Sequence, residues 1–139
     1  MITRPADAEP SPSPVSTVLV VDGEVLVRLV IAEYLRTCGY RVHEAVSAAE
    51  ALAILQSPEA SVDIVFSEAK IPGDMDGFAL ARWVRANKPG VEVLLTSTID
   101  RSAEVAGMLC ETGPLLEKPY AHQSVVDRIK QLLAKAKRG

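Results

Sequence analysis

Apolar runs and amphipathic segments alternate regularly from residue 17 to residue 137. Short β-branched and leucine runs are typical of buried strands, and longer segments with apolar residues every three or four positions are typical of helices. Strands are predicted at Val18–Val21, Arg41–Ala45, Val62–Ser67, Val91–Ser97 and Pro114–Glu117. Helices are predicted at Val25–Thr37, directly after Ser47, at Gly77–Ala86, at Ser102–Thr112 and at Ala121–Lys137.

Capping residues support several of these helix boundaries. Ser47 followed three residues later by Glu50 is a capping box, and Asp76 can act as the N-cap of the third helix. Gly39 stands where a glycine commonly ends a helix. The fourth helix contains Gly107 in its interior, so we expect it to be weak and loosely packed.

Five strands that alternate with five helices predict an α/β fold, with a parallel sheet between two layers of helices. In such a sheet, functional side chains lie beyond the carboxyl ends of the strands. Asp22, Glu68, Ser97 and Lys118 occupy those positions, so the sequence predicts that they lie close together.

Composition narrows the class of protein. The chain has 139 residues, of which 48% are hydrophobic and 24% charged, as expected for one globular domain. A net charge of −3 argues against a nucleic-acid partner. No apolar run approaches the ~20 residues of a membrane span and no export signal is evident, so we expect a cytoplasmic protein without a membrane partner.

Cys38 and Cys110 lack metal-site spacing and are interpreted as buried core thiols.

The first 16 residues, rich in proline and serine, predict a disordered leader, which leaves residues 17–139 as the domain. Four stretches of that domain resemble the receiver domain of bacterial response regulators. They are Val18–Asp22, Ile71–Gly73 with Asp76 and Gly77, Val93–Ser97, and Leu116–Tyr120. The resemblance implies a CheY-like, flavodoxin-like (βα)5 fold with strand order 2-1-3-4-5 and the first and fifth helices on one face.

In that family, a histidine kinase donates a phosphoryl group to an aspartate at the end of the third strand. Here the phosphoacceptor position is Glu68. Of the two acids that follow the first strand, only Asp22 is present, because Gly23 takes the second position and Glu24 comes one residue late. The family's third metal ligand matches the backbone carbonyl of Lys70, so Asp22, Glu68 and Lys70 would bind Mg²⁺ only weakly, and no cofactor is expected to be required.

The positions that contact the phosphoryl group are partly kept. Ser97 matches the switch hydroxyl and Lys118 the phosphoryl-binding lysine, whereas Thr98 replaces a small residue and Leu115 replaces the aromatic switch residue. We expect Glu68 to pair with Lys118, and this pair either imitates the phosphorylated state or remains from a decayed site. The longer glutamate moves its carboxylate by about 1.5 Å relative to aspartate, which disfavours phosphoryl transfer.

The resemblance therefore implies a non-enzymatic two-component signalling module that is atypical and phosphorylation-independent or phosphomimetic. The alternative is a phosphoacceptor receiver that is phosphorylated by a histidine kinase and dephosphorylates itself. Expected partners are a histidine kinase, another signalling protein or a second copy bound through the fourth helix, fifth strand and fifth helix. Because the last predicted helix ends near residue 139, we expect a stand-alone, single-domain receiver.

Overall fold

A computed structural model describes residues 16–111, together with Asp127 and Gln131. Over this range, four parallel strands form one sheet in the order β2-β1-β3-β4. The strands are β1 (Thr17–Val21), β2 (Arg41–Ala45), β3 (Ile64–Glu68) and β4 (Glu92–Thr96). The first four predicted strands and their order are confirmed, and the predicted fifth strand and last helix lie outside the described residues.

Four helices connect and follow these strands: α1 (Val25–Thr37), α2 (Ala48–Gln56), α3 (Gly77–Asn87) and α4 (Ile99–Glu111). The predicted caps are confirmed, because the Ser47 hydroxyl accepts a hydrogen bond from the Glu50 N–H and the Asp76 carboxylate accepts one from the Ala79 N–H. Gly39 ends α1 with a φ of 102°, a left-handed conformation that favours glycine. No described helix has the length and apolar content needed to cross a membrane.

The sheet separates two hydrophobic layers, as the alternation of side chains along β1 requires. Val18 and Val20 pack in a cluster with residues of α1 and α4. Leu19 and Val21 pack in the opposite cluster with residues of α2 and α3. Buried residues on both faces explain why β1 is a continuous apolar run in the sequence.

The expectation that α4 packs loosely is wrong. Seven of its residues are buried, Gly107 among them: Ser102, Ala103, Val105, Ala106, Gly107, Leu109 and Cys110. The helix also begins at Ile99, three residues before the predicted start, because the Thr98 hydroxyl accepts a hydrogen bond from the Arg101 N–H at 3.0 Å and caps it. Its partner is α1, on the face of the sheet opposite to α2 and α3.

The interpretation of the cysteines as free thiols is also wrong. Both are buried, as expected, but Cys38 and Cys110 form a disulfide with a Cα–Cα distance of 5.3 Å. The two residues are 72 positions apart, so sequence spacing gives no sign of the pairing. They meet because Cys38 caps the end of α1 and Cys110 is the penultimate residue of α4.

Gly77→Ala is expected to destabilise the fold, because a methyl group there would collide with the Glu68 carbonyl and with the Cα of Ala69. Crowding of this kind against backbone costs at least about 1 kcal/mol, since β3 and α3 must move apart. Gly90→Ala is the matched control, because a Cβ at that exposed position meets no atom within 4 Å. Urea unfolding of both variants checks the prediction, and equal midpoints would contradict it.

Candidate functional site: an acidic pair at the strand ends

Two acidic side chains meet where β1 and β3 end. Asp22 directly follows β1, and Glu68 is the last residue of β3. The strands are adjacent and parallel, with Val21 opposite Ser67, so their carboxyl ends lie side by side. The prediction that Asp22 and Glu68 lie together is thus confirmed, whereas Lys118 and Leu115 lie outside the described residues.

The Asp22 backbone and side chain are both held in place. The Glu24 N–H donates a hydrogen bond to Asp22 Oδ1 at 2.8 Å. The Asp22 N–H donates to the Ala45 carbonyl at 3.1 Å, and the Arg28 guanidinium donates to the Asp22 carbonyl at 2.8 Å. Asp22 is only 4% exposed, so its carboxylate has little access to water.

Glu68 contacts Asp22 through a hydrogen bond between the two carboxyl groups. Burial, followed by the charge of Asp22, that hydrogen bond and the charge of Glu24, raises the pKa of Glu68 to about 7 from an ordinary value of 4.5. Burial also raises the pKa of Asp22, against the lowering effects of the Glu24 N–H and of Glu68. Two carboxyl groups this close cannot both ionise readily, so the pair holds a shared proton near neutral pH.

Glu24 contributes its backbone and its charge to this site. It is exposed, and the structure places its N–H, rather than its carboxylate, against Asp22. Its charge raises the pKa of both Asp22 and Glu68. Its charge therefore acts on the pair, and its place in the acidic pocket stays a prediction.

Gly23 lies against Pro72, in the loop that follows β3. A Cβ on Gly23 would lie 2.8 Å from Pro72 Cδ and 3.3 Å from Pro72 Cγ. A side chain at position 23 would therefore require the proline ring to shift.

The end of β4 brings the two hydroxyl residues to the same edge, because Thr96 pairs with Glu68 in the sheet. Ser97 and Thr98 are both exposed. The hydroxyl of Thr98, which replaces a small residue of the family, caps α4.

Three further residues, Thr96, Ser102 and Arg28, belong to the surroundings of the site, and the sequence analysis assigned none of them a role there. Thr96 and Ser102 are buried and their hydroxyl oxygens lie 2.7 Å apart, which fixes the first turn of α4 on β4. Arg28 joins the Asp22 carbonyl to Glu44, which its Nε contacts at 3.2 Å. The sequence shows an arginine in the first turn of α1, but the groups that this arginine contacts depend on how β2 lies beside α1.

The oxygen atoms at this site are of the type that divalent cations prefer, but the side chains that supply them are too few to hold a metal ion. Hard cations prefer carboxylate and carbonyl oxygens, which Asp22 and Glu68 and the Lys70 backbone would supply. Among the described residues, however, no group of three or more acidic, histidine or cysteine side chains could hold a metal ion. The shared proton must also leave before both carboxylates can serve as ligands.

The comparison with known proteins identifies the class. The profile of the response regulator receiver domain matches residues 18–130, and the chain belongs to that family. It is 32% identical over 119 residues to the transcriptional regulatory protein ResD of Bacillus subtilis, covering 86% of this chain and 48% of the relative. The chain thus spans about half the length of that relative.

Solved structures show the same fold. The chemotaxis response regulator CheY4 of Vibrio cholerae superposes with a TM-score of 0.56 at 25% identity, covering 85% of this chain and 98% of that one. A response regulator protein, TrrA, solved in complex with the histidine kinase ThkA, is similar as well. The TM-score of that match is 0.54 at 29% identity, over 60% of this chain and 69% of that chain. The fold is therefore a flavodoxin-like, CheY-like α/β fold, and the chain is a receiver domain of two-component signalling.

Proposed function

We propose that this receiver domain signals without phosphoryl transfer, through contacts with other proteins. The observation that carries the proposal is that Glu68, at the position that the resemblance assigns to the family's acceptor, ends β3 beside the buried carboxyl group of Asp22. Two features of the site oppose phosphorylation: the protonation and length of the Glu68 side chain, and the absence of a second carboxylate for the metal ion at Gly23.

Formation of an acyl phosphate needs an ionised carboxylate that attacks phosphorus. A Glu68 carboxyl with a pKa of about 7 is about half protonated at neutral pH, and in its protonated form it donates a hydrogen bond to Asp22. Its side chain is also about one bond, or 1.5 Å, longer than aspartate, and a displacement near 1 Å can cost about 100-fold in rate. Gly23 supplies no carboxylate to Mg²⁺, so the charge that develops during transfer is less well neutralised.

The proton-sharing pair also argues against strong phosphate mimicry. Two carboxyl groups with one proton carry a single negative charge between them, whereas a phosphoryl group alone carries about −1.5 to −2. The predicted Glu68–Lys118 contact stays a prediction. We propose that the domain signals through contacts between its folded surface and other proteins, without a change in its phosphorylation.

The proposed partner is a histidine kinase or another signalling protein of the same pathway, in the cytoplasm. The resemblance to TrrA, which was solved with a histidine kinase, supports this class of partner. Neither a nucleic acid nor a membrane is proposed as a partner, and no catalytic turnover is assigned. A second copy bound through α4 and the following elements also stays a prediction; the apolar face of α4 lies against α1.

The direct test is labelling of the full chain with acetyl phosphate and Mg²⁺, read by intact mass. We expect no phosphoryl adduct over hours, and a captured kinase or receiver partner that binds equally well with and without the phosphodonor. An aspartate-containing receiver serves as the positive control for the reagent. A stoichiometric adduct mapped to Glu68 would establish the alternative, a competent phosphoacceptor.

Binding of Mg²⁺ is expected to be weak and to strengthen as the pH rises. Both carboxylates must be free of the shared proton before they can act as ligands, so binding should release a proton near neutral pH. Titration calorimetry at pH 6 and pH 8, in buffers of different ionisation enthalpy, measures both effects. Tight binding that is independent of pH would contradict the assignment of Glu68 as a partly protonated ligand.

A further inference from the structure

Helix α3 has a solvent-facing stripe that combines an aromatic side chain with two arginines. Phe78 is 55% exposed, and Arg82 and Arg85 are exposed as well. These residues follow one another at intervals of four and three positions, which places them on one side of the helix, and together they form the α3 stripe. The other side of α3 is buried, because Leu80 and Val84 pack in the hydrophobic cluster shared with α2.

The exposed arginines on the other described helices each have an acidic partner on the same helix. On α1, Arg36 pairs with Glu33 at 2.8 Å, and on α4, Arg101 pairs with Glu104 at 3.0 Å. Helix α3 has the sequence GFALARWVRAN, without an acidic residue. Its two arginines form no ion pair within the part of the chain that the structure describes. The stripe is therefore a local positive surface in a chain whose net charge is −3.

Phe78 places an apolar side chain next to these charges. Among the residues that the structure describes, it is the one aromatic residue that is exposed. Covering an exposed phenyl ring releases water from apolar surface, which favours association. Aromatic residues and arginine are also the types enriched in protein interfaces and in their most energetically important positions. The stripe thus has the composition of a docking surface for another protein.

The stripe begins where α3 packs on the end of β3. Phe78 follows Gly77, whose N–H donates a hydrogen bond to the Ala69 carbonyl at 2.8 Å. A Cβ at Gly77 would collide with the Glu68 carbonyl, so the start of α3 is in close contact with the strand that ends in Glu68. A partner on the stripe would therefore contact the helix that lies against the acidic site.

We propose that the α3 stripe binds an acidic, amphipathic helical segment of a partner protein. Two carboxylates of that segment pair with Arg82 and Arg85, and an apolar side chain covers Phe78. A helix fits because residues one and two turns from an apolar anchor share its face, as they do on α3. Two arginines on a chain of net charge −3 make too few phosphate contacts for a nucleic acid. The role of this contact in signalling rests on the function proposed above.

The test is an NMR titration of the nitrogen-15-labelled full-length chain with a helical peptide as the probe. The peptide has one leucine, with glutamates four and seven residues to either side, which repeats the spacing of the stripe in both chain directions. We expect the backbone amide signals of α3 to shift most. Replacing the glutamates with glutamine should weaken binding at least about tenfold, since several exposed ion pairs are lost.

Single substitutions separate the stripe from general charge effects. Arg82→Gln and Arg85→Gln should each weaken binding of the glutamate peptide at least about threefold, and Phe78→Ala at least about fivefold. Arg41→Gln is the matched control, because Arg41 is exposed on β2 and forms no ion pair with a described residue. It should change the affinity less than about twofold. All four side chains are exposed, so the variants should keep the fold.

Three results would overturn the proposal: signal changes centred on another element or absent at about 1 mM peptide, equal binding of the glutamine peptide, or an equal loss of affinity in Arg41→Gln. Tighter binding of duplex DNA or RNA to the stripe would replace it with a nucleic-acid partner. Self-association that Arg82→Gln abolishes would make the stripe an interface between copies of the chain. No phosphodonor is present, so labelling of Glu68 in the separate experiment would contradict the proposed function without changing these results.

Discussion

Glu68→Gln is expected to stabilise the protein by about 2 kcal/mol at pH 8 and to leave its stability at pH 5 nearly unchanged. The reason is the neighbour of Glu68, which is the buried Asp22 carboxylate. Glutamine has nearly the shape of the protonated acid and can donate a hydrogen bond to Asp22 at every pH. The ionised glutamate cannot donate one and instead repels Asp22.

The pH range follows from the two states of Glu68. Its pKa is about 7 in the folded protein and near the ordinary value of 4.5 in the unfolded chain, so the folded protein binds the proton more tightly. The contribution of this group to stability is therefore complete below about pH 4.5 and is lost as the pH rises to about 7. The difference between these two pKa values corresponds to at most about 3 kcal/mol in the free energy of unfolding. Partial exposure of Glu68 to solvent reduces the expected change to about 2 kcal/mol.

Urea unfolding of both proteins at pH 5 and pH 8 measures this difference. Glu59→Gln is the control, because it removes one negative charge at an exposed position away from the site. The opposite result, a Glu68→Gln variant that is less stable at pH 8, would show that Glu68 is paired with a cation. That outcome would favour the Lys118 contact predicted from the sequence.

Restoring the family's acids should restore phosphorylation. The triple variant with Glu68→Asp, Gly23→Asp and Pro72→Ala is expected to be labelled by acetyl phosphate and Mg²⁺ at least about 100-fold faster than the unmodified chain. The first change withdraws the acceptor carboxylate by about 1.5 Å. The second adds a carboxylate for the metal, which neutralises the charge that develops during transfer.

The third change follows from the structure. A Cβ at position 23 would lie 2.8 Å from Pro72 Cδ, so aspartate there would displace the loop after β3 unless the ring is removed. Glu68→Asp alone should be labelled more slowly than the triple variant. The matched control combines Glu68→Asn with the same Gly23→Asp and Pro72→Ala changes, and it should not be labelled because its amide cannot accept the phosphoryl group. A folded triple variant that takes up no phosphoryl group would show that more than the acids has been lost.

Hydrophobic periodicity was sufficient to predict most of the described fold. The bounds of α1 and β2 agree with the prediction because clear breaks flank them, including Gly39 at the end of α1. Periodicity shows which residues of α4 are apolar, but not which side of the sheet they cover. That choice depends on contacts distant in sequence, such as the one between Cys38 and Cys110.

The sequence predicts which acidic residues lie at the site, but not how their carboxyl groups share protons. Parallel strands bring Asp22 and Glu68 to one edge whatever the details of the loops, so their proximity follows from the strand pattern. Burial decides the protonation of the pair, and burial depends on how the loop after β3 and the start of α1 close over it. Among the described residues Glu68 interacts with a second acid, Asp22, and the Glu68–Lys118 contact suggested by the sequence stays a prediction.

A carbon-13 NMR titration of the Glu68 side-chain carboxyl tests the proton-sharing pair most directly. Comparison with Glu68→Gln assigns the resonance, and the titration is followed from pH 4 to pH 9. The expected midpoint is about 7, with Asp22 also titrating above its ordinary range as the other member of the pair. A Glu68 midpoint at or below 4.5 would contradict the account, because an ionised Glu68 at neutral pH would need a cationic partner in place of a shared proton.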